Sequence, residues 1–504
     1  MAKIGSDHLF TLIKSLSKAE KRHFKVYSSK RILGSQNIYF RLFDEIEGQR
    51  KYDEDRIRRQ TSFKDLPTLK KRLYKAILVS LSEFHSGTGI DVRDMLNHIE
   101  ILFDKSLFNH CGREIRKVKK IIERNELYEE WLLVLKWEYK IAVKKTSLRA
   151  SILAEEKKIL SLLDNQKKYR DAANLFLVKY QQYGAERSPR YMKGMKNIIS
   201  YALLKDERKA LSFNAKQNFY DCHALFSLIK GDYTNSYHFG KKGVDLYLTN
   251  PGLITSNSFS YLVRINNFLL ACLEIKRYQE MLVYLDQLEK TRNTLQSPSE
   301  RATAFFYLYH LLNYCINTGQ FAKLKEEVKR IELELEEHDI YLNQLQQITL
   351  YAVISQAHFI LENYKRSLFW LKRALSFGEI QRRADLECFI RLFHLIVHYE
   401  LKSDPDLMGS LLRSTYRFLR KHEHLYKFET AIMDFFRKYI LRGDSEQNMK
   451  KSFSSLKKTL EELSADPYEK QAFSFFDFIS WLESKIENRS FAEVVKERAV
   501  LHND

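Results

Sequence analysis

The sequence predicts an all-α protein folded as an α-solenoid, and three observations lead to this class. Only six prolines and 16 glycines occur among the 504 residues, which leaves little material for turns and favours long helices with short connections. The chain is longer than one ordinary globular core accommodates, so either several domains or a solenoid is expected. A helical pattern also recurs along the chain at a nearly constant interval, as it does in repeat proteins.

Residues 1–90 are predicted to form a compact, basic helical head. They hold 19 lysines and arginines against 10 acidic residues, and the whole chain has a formal net charge of +20. The segment Ser17-Lys18-Ala19-Glu20 matches a capping box, in which the serine and glutamate side chains bond each other's backbone amides, so a helix is expected to begin there. A second helix is predicted from about Gln36 to Glu47, and a third after Pro67.

The basic head has two interpretations. As a helix-turn-helix it would place a recognition helix in the major groove of DNA, where Lys or Arg side chains contact phosphates and bases. The candidate contacts are Lys70, Lys71, Arg72 and Lys75. As an N-terminal cap it would shield the apolar face of the first repeat. No family-specific motif accompanies the basic residues, so the cap is preferred and nucleic-acid binding is kept as the alternative.

Residues 91–206 are predicted to be helical, with degenerate repeats around Phe108 and Tyr169. Trp131 and Trp137 lie on a segment that is apolar over much of its helical circumference. A buried central helix explains this segment without a ligand.

The stretch from Tyr220 to Pro251 predicts two antiparallel helices joined by a tight turn at Gly231-Asp232-Tyr233. An aromatic residue at the start of the second helix, here called the marker, recurs at intervals of roughly 43 to 45 residues, within the range of helical repeats. The markers are Tyr233, Tyr278, Phe321 and Tyr364, and a fifth, weaker copy falls at Leu407.

These repeats resemble the tetratricopeptide repeat (TPR) family, whose turn often reads Gly-Asp/Asn-Tyr. Gly231-Asp232-Tyr233 and Gly319-Gln320-Phe321 match that turn, and Ser236 and Ser367 are among the small residues found where the family's helices interlock. Met281 departs from the small-residue pattern, and the period is longer than the family's ~34 residues. The resemblance covers roughly residues 207–425 and implies a right-handed solenoid of TPR-like helical hairpins.

Residues 426–504 are predicted to form a C-terminal helical cap. Helices are expected near residues 428–442, 446–464 and 467–487. The last of these is rich in phenylalanine and carries Trp481, so it is expected to cover the exposed apolar face of the last repeat, with a final short helix packed over it.

No motif for catalysis, phosphate binding or calcium binding occurs in the sequence, so a non-enzymatic protein without a cofactor is expected. His394 and His398 lie one helical turn apart and are the best candidate metal pair. No third ligand accompanies them, and no bound metal is expected. An enzyme assembled from distant helices is a further alternative.

The expected location is the cytoplasm, without insertion into a membrane. No apolar run approaches the ~18 residues that a bilayer crossing needs, and charge interrupts the N-terminal stretch too often for a signal peptide. Five scattered cysteines, none spaced as CxxC, indicate reduced structural thiols.

The TPR resemblance implies that the first helix of each hairpin lines a concave groove, at positions 12 and 8 residues before each marker. These positions are Asp221, Leu225, Asn266, Leu270, Tyr309, Asn313, Ala352 and Gln356. This mixture of amides, one carboxylate, one phenol and aliphatic groups suits an extended peptide. The lysines and arginines that clamp a terminal carboxylate in the family are absent here, so a non-terminal or mostly apolar segment is expected.

The resulting hypothesis is a non-enzymatic scaffold that binds a protein or peptide partner on the concave face of its repeats. The alternative is a nucleic-acid-binding regulator that uses the basic head. Net positive charge alone does not separate the two, because it attracts nucleic acid and acidic proteins alike.

Overall fold

The fold is all-α. The structure is a computed structural model that describes residues 8–31, 38–60, 65–84, 88–142, 146–184, 187–292, 300, 303, 306–337, 342–378, 383–442, 446–466 and 468–501. Helical conformation accounts for 85% of these residues, and no β-strand occurs among them. The predicted fold class is confirmed at this level.

The chain divides into two compact units, residues 1–160 and 161–504. The described helices that begin in the first unit are α1 (His8–Ser15), α2 (Lys18–Arg31), α3 (Ile38–Glu47), α4 (Glu54–Gln60), α5 (Leu66–Phe84), α6 (Thr88–Asp104), α7 (Phe108–Asn125), α8 (Tyr128–Ile141) and α9 (Thr146–Tyr183). Helices α1 to α5 share one apolar core, and α6 to α8 share another. The boundary between the units falls within α9.

The basic head contains the predicted capping box. The amide of Ser17 donates to the Glu20 carboxylate at 2.6 Å, and the amide of Glu20 donates to the Ser17 hydroxyl at 3.2 Å. The head has α1 and α4 in addition to the three predicted helices. Helix α4 has seven residues and a single aliphatic side chain, Ile57, which is too short a pattern to show helical periodicity.

The second unit contains sixteen further α-helices among its described residues. They are α10 (Pro189–Ile199), α11 (Phe213–Lys230), α12 (Tyr233–Leu248), α13 (Pro251–Ser256), α14 (Ser258–Glu274), α15 (Tyr278–Arg292), α16 (Tyr307–Asn317), α17 (Phe321–Glu337), α18 (Gln344–Ile360), α19 (Tyr364–Leu375), α20 (Ala384–Glu400), α21 (Pro405–Lys421), α22 (Lys427–Arg442), α23 (Glu446–Ser464), α24 (Phe478–Glu487) and α25 (Phe491–Leu501). Short 3-10 helices span Ala202–Lys205, Glu207–Lys209 and Lys470–Ser474.

Each of the four clear markers is the first residue of a helix. Helices α12, α15, α17 and α19 begin at these aromatic residues, and each packs against the helix that precedes it in the pairs α11–α12, α14–α15, α16–α17 and α18–α19. We call these pairs hairpins 1 to 4. Most of their large buried side chains, together with those of α20 to α25, form one continuous apolar core, whereas those of α11 other than Phe213 belong to a second cluster.

The turns of the four hairpins share one backbone conformation. The residue two positions before each marker is left-handed, with φ of +71° at Gly231, +60° at Lys276, +68° at Gly319 and +58° at Glu362. Two of the four are not glycine, although a side chain raises the energy of this conformation. Glycine therefore marks this turn in only two of the four hairpins, although the backbone adopts the same conformation in all four.

The fifth marker was predicted at Leu407, but the helix begins two residues earlier, at Pro405. The carboxylate of Asp404 accepts from the amide of Asp406 at 2.8 Å, and proline is favoured at the first helical position because it has no amide to leave unsatisfied. Lys402, two residues before Asp404, has the left-handed φ of the other turns, at +50°.

The predicted helix 467–487 is wrong in its continuity. The carboxylate of Asp477 accepts from the amide of Ser480 at 2.9 Å and starts α24 anew, while the preceding residues form the 3-10 helix Lys470–Ser474. This segment also reaches further than a cap on the last repeat. Lys470 contacts the turn of hairpin 1, at Gly231.

Candidate functional site

The second unit contains a cavity of about 460 Å³. Successive first helices of the hairpins, α14, α16 and α18, supply most of its lining, and α20 continues the series. The C-terminal segment contributes Gln471, Ser474 and Phe475. The cavity is therefore walled by equivalent helices of consecutive hairpins and by a segment from the far end of the chain.

Six of the eight predicted groove positions line this cavity. They are Asn266, Leu270, Tyr309, Asn313, Ala352 and Gln356. The remaining two, both on α11, are not among its lining residues. Asp221 forms an ion pair with Arg264 at 2.5 Å, and Leu225 packs against a separate apolar cluster built from α9, α10 and α11. Hairpin 1 thus contributes to the site mainly through its turn.

Amide side chains line the cavity from three successive helices: Asn266 and Asn267 of α14, Asn313 of α16, and Gln346 and Gln356 of α18. Asn313 donates to the carbonyl oxygen of Tyr309 at 2.8 Å, which fixes the amide plane. Gln356 is only partly buried, whereas its neighbours from Leu350 to Ile360 are all buried. On this otherwise buried stretch of α18, the Gln356 side chain remains accessible, and it lines the cavity.

Two buried polar side chains at the cavity have unsatisfied atoms. Asn266 is 9% exposed, and its Nδ2 donates to the carbonyls of Leu262 and Thr303 at 3.0 and 3.1 Å. Its Oδ1 accepts no hydrogen bond from the described residues, and neither ring nitrogen of His310, which is 2% exposed, has a partner there. Buried polar atoms without protein partners are rare in proteins, so these atoms offer hydrogen-bonding capacity to a ligand in the cavity.

The charged residues of the lining are Glu274, Arg383 and Asp385. Arg383 and Asp385 pair through two contacts of 2.9 and 3.0 Å, and the Arg383 guanidinium lies 4.9 Å from the ring centroid of Tyr180. The carboxylate of Glu274 makes no ion pair or hydrogen bond with the described residues. Burial raises the pKa of Glu274 to about 7, because a charge is poorly solvated there.

Aromatic rings form a further part of the lining. Phe306 and Tyr309 stack with their centroids 5.0 Å apart and their planes at 6°, and His310 lies edge-on to Phe306 at 6.0 Å. Burial lowers the pKa of His310 to about 3, so the imidazole is neutral at physiological pH and adds no positive charge.

The C-terminal segment is held against the cavity by hydrogen bonds to main-chain carbonyls. Gln471 Nε2 donates to the carbonyl oxygens of Leu228 and Ile229 at the end of α11. Phe475 stacks on Phe389 of α20, with the ring centroids 5.1 Å apart and the planes at 13°. The segment therefore contacts both α11 and α20.

A second set of contacts anchors the beginning of this segment. Arg187 pairs with Glu469 at 2.5 Å and with Glu429, and Glu469 also accepts from the amides of Lys427 and Phe428 at 3.2 and 3.3 Å. Glu469 thus holds the N-terminal end of α22, where unpaired amides favour an acidic group.

The two candidate metal residues contact each other. His394 Nε2 and His398 Nε2 are 3.2 Å apart, and His398 Nδ1 lies 2.8 Å from the Ser403 hydroxyl. Burial, with a further contribution from His398, lowers the pKa of His394 to about 3. No group of three potential metal ligands occurs within the described ranges.

The four candidate nucleic-acid contacts of α5 fall into two groups. Lys70 is mostly buried: its Nζ donates to Tyr52 at 2.6 Å and to Glu54 at 2.8 Å. Lys71, Arg72 and Lys75 are exposed. The structure therefore leaves three of these cations on the surface and uses the fourth to join α5 to α4.

The repeat pattern did not predict four of the residues that line the cavity. They are Glu274, His310, Arg383 and Gln471. Glu274 lies one helical turn after Leu270, so one more step of the same register would have included it. Gln471 had no signal in the sequence, because its contacts are with residues about 240 positions earlier.

Sequence comparison with known protein families and with curated proteins identifies no relative of the chain. No model of a known protein family matches the chain, and no curated protein has a significantly similar sequence. Within the described residues, no helix combines the length and the apolar composition needed to cross a bilayer.

Proposed function

We propose that residues 161–504 act as a TPR-like, right-handed solenoid that binds a segment of a partner protein in the cavity, as a non-enzymatic scaffold of the cytoplasm. The observation that carries this proposal is the row of amides Asn266, Asn313 and Gln356 on three successive first helices, in a cavity whose lining also holds many apolar side chains. An extended peptide needs such amides for its backbone and apolar contacts for its side chains.

The extent of the cavity supports a segment of a partner protein as its ligand. Its lining reaches from α14 through α16 and α18 to α20, and its volume of about 460 Å³ lies within the range of ligand-binding clefts. The proposed partner is a protein whose bound segment is not a terminal carboxylate, because Arg383, the one arginine among the described residues of the lining, already pairs with Asp385.

The test is the double variant Asn313→Ala/Gln356→Ala. Peptides selected on the full-length chain from a phage-displayed library of short linear peptides should bind this variant at least ~2 kcal/mol more weakly. Asn317→Ala is the matched control, because Asn317 is an exposed amide on α16 that does not line the cavity. Equal affinities for the double variant and the wild type, with the fold intact, would place the binding site elsewhere.

A second candidate function is polyanion binding by the basic head. Lys71, Arg72 and Lys75 are exposed on α5, and Lys18, Lys21, Arg22 and Lys25 line a surface groove along α2. Part of the positive charge along α2 is neutralised, because Lys25 pairs with Asp44 at 2.8 Å and Lys21 pairs with Glu47 at 3.2 Å. Retention on heparin that depends steeply on salt would support this function.

A further inference from the structure

Acidic groups outnumber basic groups in the described part of the cavity lining, in contrast to the chain as a whole. The formal net charge of the protein is +20, yet the described residues of the lining include one arginine and two carboxylates. Arg383 and Asp385 neutralise each other through a two-point contact. The carboxyl group of Glu274 has no cationic partner among the described residues.

The position of Glu274 makes its negative charge unfavourable in the free protein. It is the last residue of α14, where the unpaired carbonyls of a helix end already concentrate negative potential. It is also half-buried, and partial removal from water penalises an ionised carboxylate that has no partner among the described residues. A cation beside Glu274 would offset both effects at once.

Polar atoms around the cavity present further hydrogen-bonding capacity to a donor. Asn266 Oδ1 is an acceptor without a partner among the described residues, and the neutral His310 ring has one acceptor nitrogen in addition to its N–H. An N–H donor of a ligand would satisfy Asn266 Oδ1 and the acceptor nitrogen of His310, whereas an apolar group would leave both acceptors unpaired.

Aromatic side chains of the lining suit the same kind of group. Tyr233 and Tyr309 line the same cavity as Glu274, and burial, followed by the Glu274 charge, raises the pKa of each phenol. The faces of aromatic rings attract cations. The chain itself provides an example, because Lys470 Nζ lies 6.0 Å from the ring centroid of Tyr233.

We propose that the cavity recognises a lysine or arginine side chain of its partner, which pairs with Glu274 and lies against the rings of Tyr233 and Tyr309. This inference rests on the proposed function and specifies the chemistry of the bound segment. Lys470 fills only part of this role: its ammonium group lies near the Tyr233 ring, but it donates to the Gly231 carbonyl and forms no ion pair with Glu274.

The test uses the full-length chain and peptides that it selects from the phage-displayed library. Each selected peptide is synthesised with its basic residue intact and with that residue replaced by norleucine, which keeps the aliphatic stem. Their dissociation constants are measured by fluorescence anisotropy for the wild type and for Glu274→Gln. Glu326→Gln is the matched control, because Glu326 is an exposed carboxylate on α17 outside the cavity.

The expected result is a coupling between the peptide cation and Glu274. Norleucine should weaken binding to the wild type and to Glu326→Gln about tenfold, and should change binding to Glu274→Gln by less than about twofold. Selected peptides that lack a basic residue, or an equal effect of norleucine on all three proteins, would overturn the inference.

These outcomes differ from a failure of the proposed function. If peptides bind the Asn313→Ala/Gln356→Ala variant as tightly as the wild type, or if no peptide is enriched, the cavity is not a peptide site and both proposals fail. If that variant weakens binding while Glu274→Gln does not, the cavity binds peptides and only the basic side chain is excluded.

Discussion

Lys470 Nζ donates a hydrogen bond of 2.7 Å to the carbonyl oxygen of Gly231, and so joins the C-terminal 3-10 helix to the turn of hairpin 1. A similar contact occurs at hairpin 3, where a methyl group built on Gly319 would lie 3.2 Å from the Cα of Lys496 in α25. The C-terminal helices therefore pack over the glycine-containing turns of the hairpins, in addition to contacting α20.

The first prediction concerns Gly231. Its φ is +71°, and a methyl group there would collide with the side chain of Lys470. Gly231→Ala should lower the free energy of unfolding by about 1–2 kcal/mol from the backbone alone, with an additional loss because Lys470 must move away from the carbonyl. Urea denaturation measures both parts together.

Gly378 is the control for this substitution. Its φ is +76°, but a methyl group there would meet no atom within 4 Å, so Gly378→Ala reports the backbone effect alone. The cost of Gly231→Ala should exceed that of Gly378→Ala, and the excess should disappear in a Lys470→Ala background. Equal costs for the two glycines would show that the Lys470 contact is dispensable.

The second prediction concerns Glu332, which joins hairpin 3 to hairpin 4. Burial works to raise the pKa of Glu332, but hydrogen bonds from His358, Arg366 and Trp370 outweigh it and hold the value at about 2. The folded-state pKa is thus below the ordinary value of 4.5, so the stabilisation is present above pH 4.5 and is lost as the pH falls towards 2.

Replacing this carboxylate should therefore have a pH-dependent effect. Glu332→Gln should lower the free energy of unfolding by about 2 kcal/mol at pH 7, and the difference from the wild type should shrink steadily below pH 4.5. Denaturant titrations at several pH values measure this difference. A constant difference across the range, or one no larger than that of Glu326→Gln on the same helix, would contradict the assigned role.

The third prediction concerns Glu274 and has the opposite sign. Burial raises its folded-state pKa to about 7. The protonated group therefore leaves the free energy of unfolding intact below pH 4.5, and that stability is lost as the pH rises through 7. Its neighbours keep their protonation states in this range: the pKa values of Tyr233, Tyr278 and Tyr309 are raised, His310 is neutral, and Arg383 is paired with Asp385.

Glu274→Gln should accordingly stabilise the free protein at pH 8 by about 1–2 kcal/mol and have no effect near pH 4.5. The measurement is again urea denaturation, with Glu326→Gln as the control that should change nothing at either pH. Destabilisation by Glu274→Gln at pH 8 would mean that the carboxylate has a partner in the folded protein, and the argument for a cationic ligand would fail.

The fourth prediction separates the two functions proposed for the chain. The triple variant Lys71→Ala/Arg72→Ala/Lys75→Ala should elute from heparin at lower salt than the wild type, because fewer cations contact the polyanion. It should retain its affinity for cavity-binding peptides and its stability. Lys70→Ala should instead lower stability by about 1 kcal/mol, since Lys70 bonds Tyr52 and Glu54. Loss of peptide binding in the triple variant would contradict this separation.

Much of the fold could be predicted from the sequence, because its signals are local. The aromatic markers and the few helix breakers predicted where the second helix of each of the four hairpins begins. The capping box at Ser17 predicted the start of α2. The left-handed turns at Lys276 and Glu362 could not be predicted, since those residue types seldom adopt this conformation. The break before α24 was hidden by the continuous apolar pattern around Asp477.

The site was predictable to the extent that it follows the repeat. Asn266, Asn313 and Gln356 were found by counting back from the markers, and the same count identified Asp221 although an ion pair occupies it in the structure. Gln471 and Arg383 enter the cavity through contacts between segments far apart in the chain, and no periodic pattern carries that information.

The central claim is that a partner segment binds within the cavity, and the most direct measurement is to block that cavity chemically. Gln356→Cys places a thiol at the partly buried position of α18, while the five native cysteines are all buried, so a bulky maleimide should label the introduced thiol. Asn317→Cys provides the control at an exposed position outside the lining. Labelling should abolish peptide binding by the Gln356→Cys protein and leave the Asn317→Cys protein unaffected, whereas undiminished binding by fully labelled, folded Gln356→Cys protein would contradict the claim.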